Sequence, residues 1–391
     1  MPEYRHLWLG MIAMMGATNM QMIARSQLAW DLTRSPLAVG LVGAGFAPTI
    51  LIFSLLGGAF ADRVNKTRII QAGQLASLGI SVFIGLSLLT DTVTIYHLIG
   101  ASMAQGMFWA FFMPARQAII PQLVGKRLSM NGIALNATGM SLMTMVAPGI
   151  GGIIYWQFGP AATYFTVSGL YLLAGILSLK IPSIPAEIID KPRSVLADMC
   201  DGLKYIRRNS TVRILLIMAL FTALLAMPFR NLLPVYVDEL FGRGPEAVGL
   251  MMSLMGAGAL AGSLFIAGIP PGRGRGVVLI GASTISSLAL MAAAGATAYG
   301  ISIAAMLLLG IGDSGHRSLN SALIMEQSDD RHRGRVMGIY MMNFGLMPAG
   351  LIPFGAIAQA TNIRWAVLGE GALLLIVCVA LLTLTSRVRR L

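Results

Sequence analysis

Apolar runs of about 20 residues, separated by short polar or basic clusters, recur along the whole of this 391-residue chain. A helix needs roughly 20 apolar residues to cross the hydrocarbon core of a bilayer. That template places spans near residues 7–31, 37–61, 68–90, 95–119, 130–157 and 161–181. A polar stretch from Pro182 to Arg213 interrupts the series, and further spans follow near 213–238, 246–269, 276–297, 301–325, 334–359 and 363–386. Within the polar stretch, Ala197 to Ile206 carries the pattern of a short amphipathic helix lying on a membrane surface. The expected fold is an all-α membrane protein with twelve transmembrane helices in two six-helix bundles. The N-terminal bundle takes residues 1–181, a linker 182–212 and the C-terminal bundle 213–391.

Composition supports a membrane class. Hydrophobic residues make up 56% and charged residues only 11% of the chain, with a mean hydropathy of +0.76. A soluble domain carries about 25% charged residues, so this chain lacks the charge to cover a surface facing water. Its formal charge of +12 would suit nucleic acid, but the basic residues sit in clusters between apolar spans. Basic inter-span loops are what the positive-inside rule describes, and no nucleic-acid partner is expected. Taking the N-terminus as cytoplasmic puts Arg63, Lys66, Arg68, Lys126, Arg127, Arg273, Arg275, Arg331, Arg333 and Arg335 inside, while the opposite loops hold only Arg34, Arg243 and Arg364. Both termini are therefore expected in the cytoplasm. The first apolar run continues to about Ala29 with no small-residue cleavage pattern, so it reads as a retained helix. Cys200 and Cys378 are too few to form a disulfide framework.

The two halves repeat. Arg25-Ser-Gln-Leu leads through Arg34-Ser-Pro to Ala38-Val39-Gly40-Leu41, and Arg230-Asn-Leu-Leu leads through Arg243-Gly-Pro to Ala247-Val248-Gly249-Leu250. Between the second and third spans, Gly58-Ala-Phe-Ala-Asp62-Arg63-Val-Asn65-Lys66-Thr-Arg68 forms a small-residue turn with a charge cluster. This resembles the loop signature of the major facilitator superfamily, Gly-x-x-x-Asp-Arg-x-Gly-Arg/Lys-x-Arg. Asn65 stands at the second glycine, a swap expected to keep left-handed backbone geometry accessible. Pro114-Ala-Arg116-Gln-Ala-Ile-Ile-Pro121, Asn131-Gly-Ile-Ala-Leu-Asn136, Asp31-Leu-Thr-Arg-Ser-Pro36 and Arg333-Gly-Arg-Val-Met-Gly338 resemble the branch holding the enterobactin exporter and the macrolide efflux proteins. Ala147-Pro148-Gly149-Ile-Gly-Gly152 resembles the Gly-Pro-x-x-Gly-Gly signature associated with drug/proton antiporters; ordinary close helix packing is the alternative reading.

The resemblance implies a major facilitator fold in the bacterial cytoplasmic (inner) membrane. It also implies secondary active transport by alternating access, with proton-coupled efflux of an amphipathic small molecule, drug-like or siderophore-like. Protons, the bilayer and a small molecule would be the partners, the chain a monomer, with no cofactor and no enzymatic activity. The alternative is an uncoupled uniporter or an importer of a small organic solute, anionic in one version. Two departures favour that alternative. Ser102, three residues before Gln105-Gly106, stands where drug antiporters carry an arginine tied to proton coupling, and the counterpart of the opening loop at Gly262–Arg275 lacks the aspartate. The resemblance therefore implies an asymmetric cytoplasmic latch at Asp62.

No P-loop, metal-ligand spacing or hydrolase triad occurs, so no metal site is expected. Charges inside spans are the candidates for chemistry, because each costs about 2.5–3.5 kcal/mol or more unless it faces a cavity or a partner. Asp313 and Glu370 are the proton-coupling candidates. Helical spacing puts Asp313, His316, Arg317 and Asn320 on one face; a permanent Asp313–Arg317 ion pair is the plainer reading. Gln21, Arg25, Arg230, Asn231, His316 and Asn320 are candidates for lining a substrate cavity. Gating falls to Asp62, Arg63, Lys66, Arg68, Arg116 and Arg317, with Pro148 and Gly149 as the flexible pair. Structural pairing of these arginines near the interface is the alternative. Asp31 is expected to cap the outer end of the first helix. The 26 methionines suit an irregular apolar cargo or simple lipid-facing filler.

Overall fold

Backbone groups in a bilayer core have no water to bond to, so a chain this apolar must satisfy them within helices. A computed structural model describes residues 2–61, 65–183, 195–226, 228–270, 272 and 274–384, and all regular structure among them is helical. Asp62, Arg63 and the loop signature around them lie outside the described residues. In chain order the helices are α1 (Pro2–Thr33), α2 (Pro36–Ala44), α3 (Phe46–Ala61), α4 (Lys66–Leu89), α5 (Ile95–Leu179), α6 (Val195–Arg208), α7 (Ser210–Ala226), α8 (Pro228–Asn231), α9 (Leu233–Phe241), α10 (Pro245–Ala267), α11 (Arg275–Gly295), α12 (Tyr299–Glu326), α13 (Asp330–Leu346), α14 (Leu351–Ala360) and α15 (Ile363–Leu384). Among the described residues nine stretches are long and apolar enough to cross a membrane.

Three of the expected spans merge in the 85-residue α5, and glycine marks both turns within it. Gly125 (φ 73°) and Gly159 (φ 82°) adopt the left-handed region, where a Cβ would clash with the following carbonyl. Three other expected spans are broken: the second divides into α2 and α3 at Gly45. The seventh is divided among α7, α8 and α9, and the eleventh into α13, a 3-10 turn at Met347–Gly350, and α14. Pro228 and Pro234 sit at the starts of α8 and α9, where their missing N–H groups leave no gap in a helical ladder. Gly350 lies so close to α7 that an added Cβ would stand 2.4 Å from the Leu224 carbonyl oxygen. The break there serves a backbone contact.

The chain divides into two units, residues 1–192 with 243–253, and residues 193–242 with 254–391. In the first, Tyr4, Leu7, Met11, Met14 and Met15 of α1 pack with Ile70 of α4 and with Phe112, Ile119 and Tyr171 of α5. In the same unit, α5 meets residues 245–253 almost backbone to backbone: a Cβ on Gly152 would lie 2.5 Å from the Pro245 oxygen, and one on Gly249 2.6 Å from the Pro148 oxygen. Asn65 departs from the expected left-handed geometry. Its φ is −55°, and its side chain caps α4 by accepting from the N–H groups of Thr67 and Arg68. An amide side chain that supplies the helix N-cap has no need of positive φ.

In the second unit, Leu215, Leu279, Leu319, Ile324, Val336 and Leu374 form the buried centre. The linker helix α6 runs two residues beyond the expected amphipathic segment at each end and docks on α13 and the turn before it. Asp201 receives Arg335 and faces His332 at 3.7 Å. The Tyr205 and His332 rings stack at 4.4 Å and 11°, and the Tyr205 hydroxyl accepts from the Asp329 N–H. Asn209 donates to the Gln327 carbonyl. Tyr205→Ala removes the stack and the acceptor together. Trypsin should then cleave after Arg207 and Arg208 about tenfold faster, the equivalent of roughly 1.4 kcal/mol of local stability. Unchanged cleavage would show that the stack does not hold α6.

Candidate functional site

Polar groups inside spans gather in three places, two in the first unit and one in the second. The first surrounds Arg25, deep in α1. Its Nη1 donates to Gln105 Oε1 of α5 at 2.8 Å. Gln105 Nε2 donates onward to Gln21 Oε1 at 2.7 Å and to the Tyr171 hydroxyl at 3.2 Å, and Tyr171 donates to Gln21 Oε1 at 3.1 Å. Gln21, Gln105 and Tyr171 are all buried. The neutral groups thus satisfy one another, and the guanidinium ends the chain. Asp31 is no simple cap: its two oxygens accept from the Tyr155 hydroxyl at 2.7 Å and from Gln27 Nε2 at 2.9 Å, so it ties α1 to α5. A carboxylate within the last turn of a helix sits near carbonyls, where a hydroxyl from a neighbouring helix is the better partner.

Ser102 lies one turn before Gln105 and is fully buried, with its hydroxyl unpartnered among the described residues. Gly45 packs against it so tightly that an added Cβ there would meet Ser102 Cβ at 3.3 Å. An arginine has no room at this position.

The second place is near the start of α1. Arg116 is buried and donates to the Asn136 side chain; its guanidinium stands 6.0 Å from the Phe112 ring centre. Tyr4 donates to the Gly132 carbonyl at 2.7 Å. A small cavity here is lined by His6, Met11, Gln74, Phe112 and Arg116, and Gln74 Oε1 has no partner among the described residues. Lys66 is buried and Arg68 exposed at the start of α4. Pro148 and Gly149 sit at the close contact with residues 245–253, where a Cβ on Gly149 would reach Ser253 Oγ at 2.8 Å.

The third place lies in α12 and the broken segment at α8. Asp313 Oδ2 pairs with Arg317 Nη2 at 3.0 Å, and the two side chains are 9% and 31% exposed. Asp313 Oδ1 has no partner among the described residues, and neither has Arg230 Nε. Arg230, in α8, is within electrostatic reach of both Asp313 and Arg317. Arg317 is the carboxylate's bonded partner, and the Arg230 charge lies nearby. His316 and Asn320 share the α12 helix but turn into its packing: His316 meets Ser283 Oγ at 2.6 Å and Thr222 Oγ1 at 3.2 Å, and Asn320 donates to the Leu215 carbonyl. The structure places both with buried neighbours of α7 and α11. Asn231 is buried in α8, and Glu370 is buried in α15 with Oε2 unpartnered among the described residues. The described residues contain no cluster of metal-ligating side chains.

Gln105, Tyr171, Thr222 and Ser283 were not singled out as site residues from sequence. The available signal was weak: a polar side chain deep in an apolar span, which Gln105 and Thr222 satisfy and which many packing serines also satisfy.

A sequence model of the family described as transmembrane secretion effector matches residues 1–390. The staphyloferrin A transporter of Staphylococcus aureus is 24% identical over 83% of this chain and 82% of its own length. Macrolide efflux protein A of Streptococcus pyogenes is 20% identical over 86% and 84%. Among solved structures, a nucleoside transporter superposes with a TM-score of 0.79 at 12% identity, covering 99% of this chain and all of that one; at that identity the likeness speaks for the fold.

Proposed function

The chain belongs to the transmembrane secretion effector family of the major facilitator superfamily, and from that premise we propose a secondary active exporter that moves an amphipathic small molecule outward against inward proton flow. As a multi-pass membrane transporter it is not an enzyme. In our reading it crosses the bacterial inner membrane twelve times, as a monomer with both termini in the cytoplasm. Residues 1–181 and 213–391 form its bundles, and 182–212 link them.

Asp313 carries the reading. One of its oxygens is committed to Arg317 and the other is unpartnered among the described residues, so it can accept a proton without first breaking every contact. Protonation removes the charge that Arg317 binds, which frees that arginine for a new partner and changes the field at nearby Arg230. A switchable carrier needs two states of this kind, one paired and charged, one neutral and released. Glu370 is the second candidate carrier. Arg116, with Lys66, Arg68, Asp62 and Arg63, would serve the cytoplasmic gate. The test starts from purified protein and a thermal-shift panel of amphipathic compounds. Any hit is then followed in liposomes, with and without an imposed proton gradient. Accumulation that requires the gradient is expected; equilibration without accumulation at every gradient would sink the exporter.

Uncoupled transport is the second reading, and Ser102 is the observation that favours it. The site expected to carry an arginine in proton-coupled relatives is filled by Gly45 packing on a serine. In that reading the Asp313–Arg317 pair is a permanent strut. The same liposome experiment separates the two.

A further inference from the structure

We propose that Arg25 is a recognition site for an organic carboxylate, so that the transported molecule is an amphipathic anion. This rests on the transporter reading above and adds the chemical class of its substrate. The argument begins with charge. Arg25 has five N–H donors, and among the described residues its side-chain partner is one neutral amide oxygen, Gln105 Oε1. Among the described residues of this unit the carboxylates are Glu3, Asp31, Asp91 and Glu246. Glu3 opens α1 more than twenty residues away, and Asp91 lies in the turn after α4. Glu246 Oε1 accepts from the Gly244 N–H, and both Asp31 oxygens are taken by Tyr155 and Gln27. None forms an ion pair with Arg25.

A guanidinium inside a span without a counter-ion is costly. The protein does not reduce that cost with an acid; it builds a neutral cradle instead. Gln21, Gln105 and Tyr171 hold one another, and among the described residues the side-chain acceptor bonded to Arg25 is the Gln105 amide. A carboxylate ligand would supply the missing charge, and the planar fork of arginine matches it with two parallel hydrogen bonds. Tyr164 and Tyr171, both buried, lie within electrostatic reach of the guanidinium and keep its surroundings free of acid. Arg25 is partly exposed while its cradle is buried. Arg25 is thus the least buried member of the cluster.

The test uses the purified full chain in detergent with no gradient, and compares 2-naphthoate with its neutral isostere 2-naphthamide by calorimetry. Wild type should bind the carboxylate about tenfold or more tightly than the amide. Arg25→Met should lose that preference, and Arg25→Lys should keep a reduced one. Equal affinity for both probes in wild type would overturn the proposal, whether or not Arg25→Met folds. So would an unchanged preference in a folded Arg25→Met, or inorganic phosphate binding as tightly as naphthoate. Because no flux is measured, failure of proton-driven export would leave this preference standing, and loss of the preference would leave export standing.

Discussion

Asp313→Asn abolishes the response to an imposed proton gradient while substrate exchange continues. The substitution keeps the side-chain shape and removes the ability to gain or lose a proton. In the present structure the carboxylate is 9% exposed, bonded through one oxygen to Arg317 and near Arg230. An amide can still accept from Arg317, so the local packing survives, but Arg317 loses its counter-charge. Proton-driven accumulation of a thermal-shift hit should fall to the level seen without a gradient. Counterflow at zero gradient should remain, because exchange of bound ligand needs no net proton movement. Gradient-driven accumulation at the wild-type rate in Asp313→Asn would remove Asp313 from the mechanism. It would also transfer the question to Glu370, a buried carboxyl with an oxygen unpartnered among the described residues.

Gly310→Leu prevents folding of the second unit. The seam between α10 and α12 has no layer of side chains. A Cβ on Gly310 would lie 2.1 Å from the Met255 carbonyl oxygen, one on Gly258 2.1 Å from the Leu307 oxygen, and one on Gly262 2.3 Å from the Ile311 oxygen. The obstacles are backbone atoms of a facing helix, so no rotamer change relieves them. Small residues at such seams are how helices associate where lipid removes the hydrophobic drive. Even Gly310→Ala should cost at or above the usual overpacking range of about 1–3 kcal/mol, and leucine should leave no monodisperse, cooperatively melting protein. Gly281→Ala is the control: nothing lies within 4 Å of its added Cβ, and the change should stay within about 0.5 kcal/mol. A Gly310→Leu protein that melts like wild type would show that α10 and α12 separate freely.

The seam also places the functional residues. Gly312 allows α12 to approach α11, where its Cβ would stand 2.6 Å from the Ala282 oxygen. Asp313 is the next residue. The glycines of this segment fix the depth at which the carboxylate sits.

Much of the site was legible in part. Asp313 and Arg317 were paired by helical spacing alone, because an i,i+4 relation within one helix needs no tertiary knowledge. His316 and Asn320 belonged to the same spacing argument yet turn toward Thr222, Ser283 and the Leu215 carbonyl. A helix face is about 100° wide, and neighbouring helices decide which edge of it meets protein and which meets open space. Arg230 was read as part of a continuous seventh helix; the break into α7, α8 and α9 gives it a setting that hydropathy does not report. Asn65 kept the loop-signature position but took an N-cap role. Asp62 and Arg63 retain their place in the gating proposal on sequence grounds.

By itself the sequence determined the class: apolar runs of bilayer length, basic residues concentrated in the clusters between them, and motifs that identified the superfamily and its branch. Those follow from local rules, since each helix must satisfy its own backbone in lipid and each loop its own topology. Only the tertiary structure decided which charges are compensated. Arg25 meets an amide in place of an acid, Asp31 is consumed by Tyr155 and Gln27, and Asp313 is paired with Arg317. Charge compensation depends on distances of a few ångströms between residues up to 124 positions apart in the chain, and no local pattern encodes them.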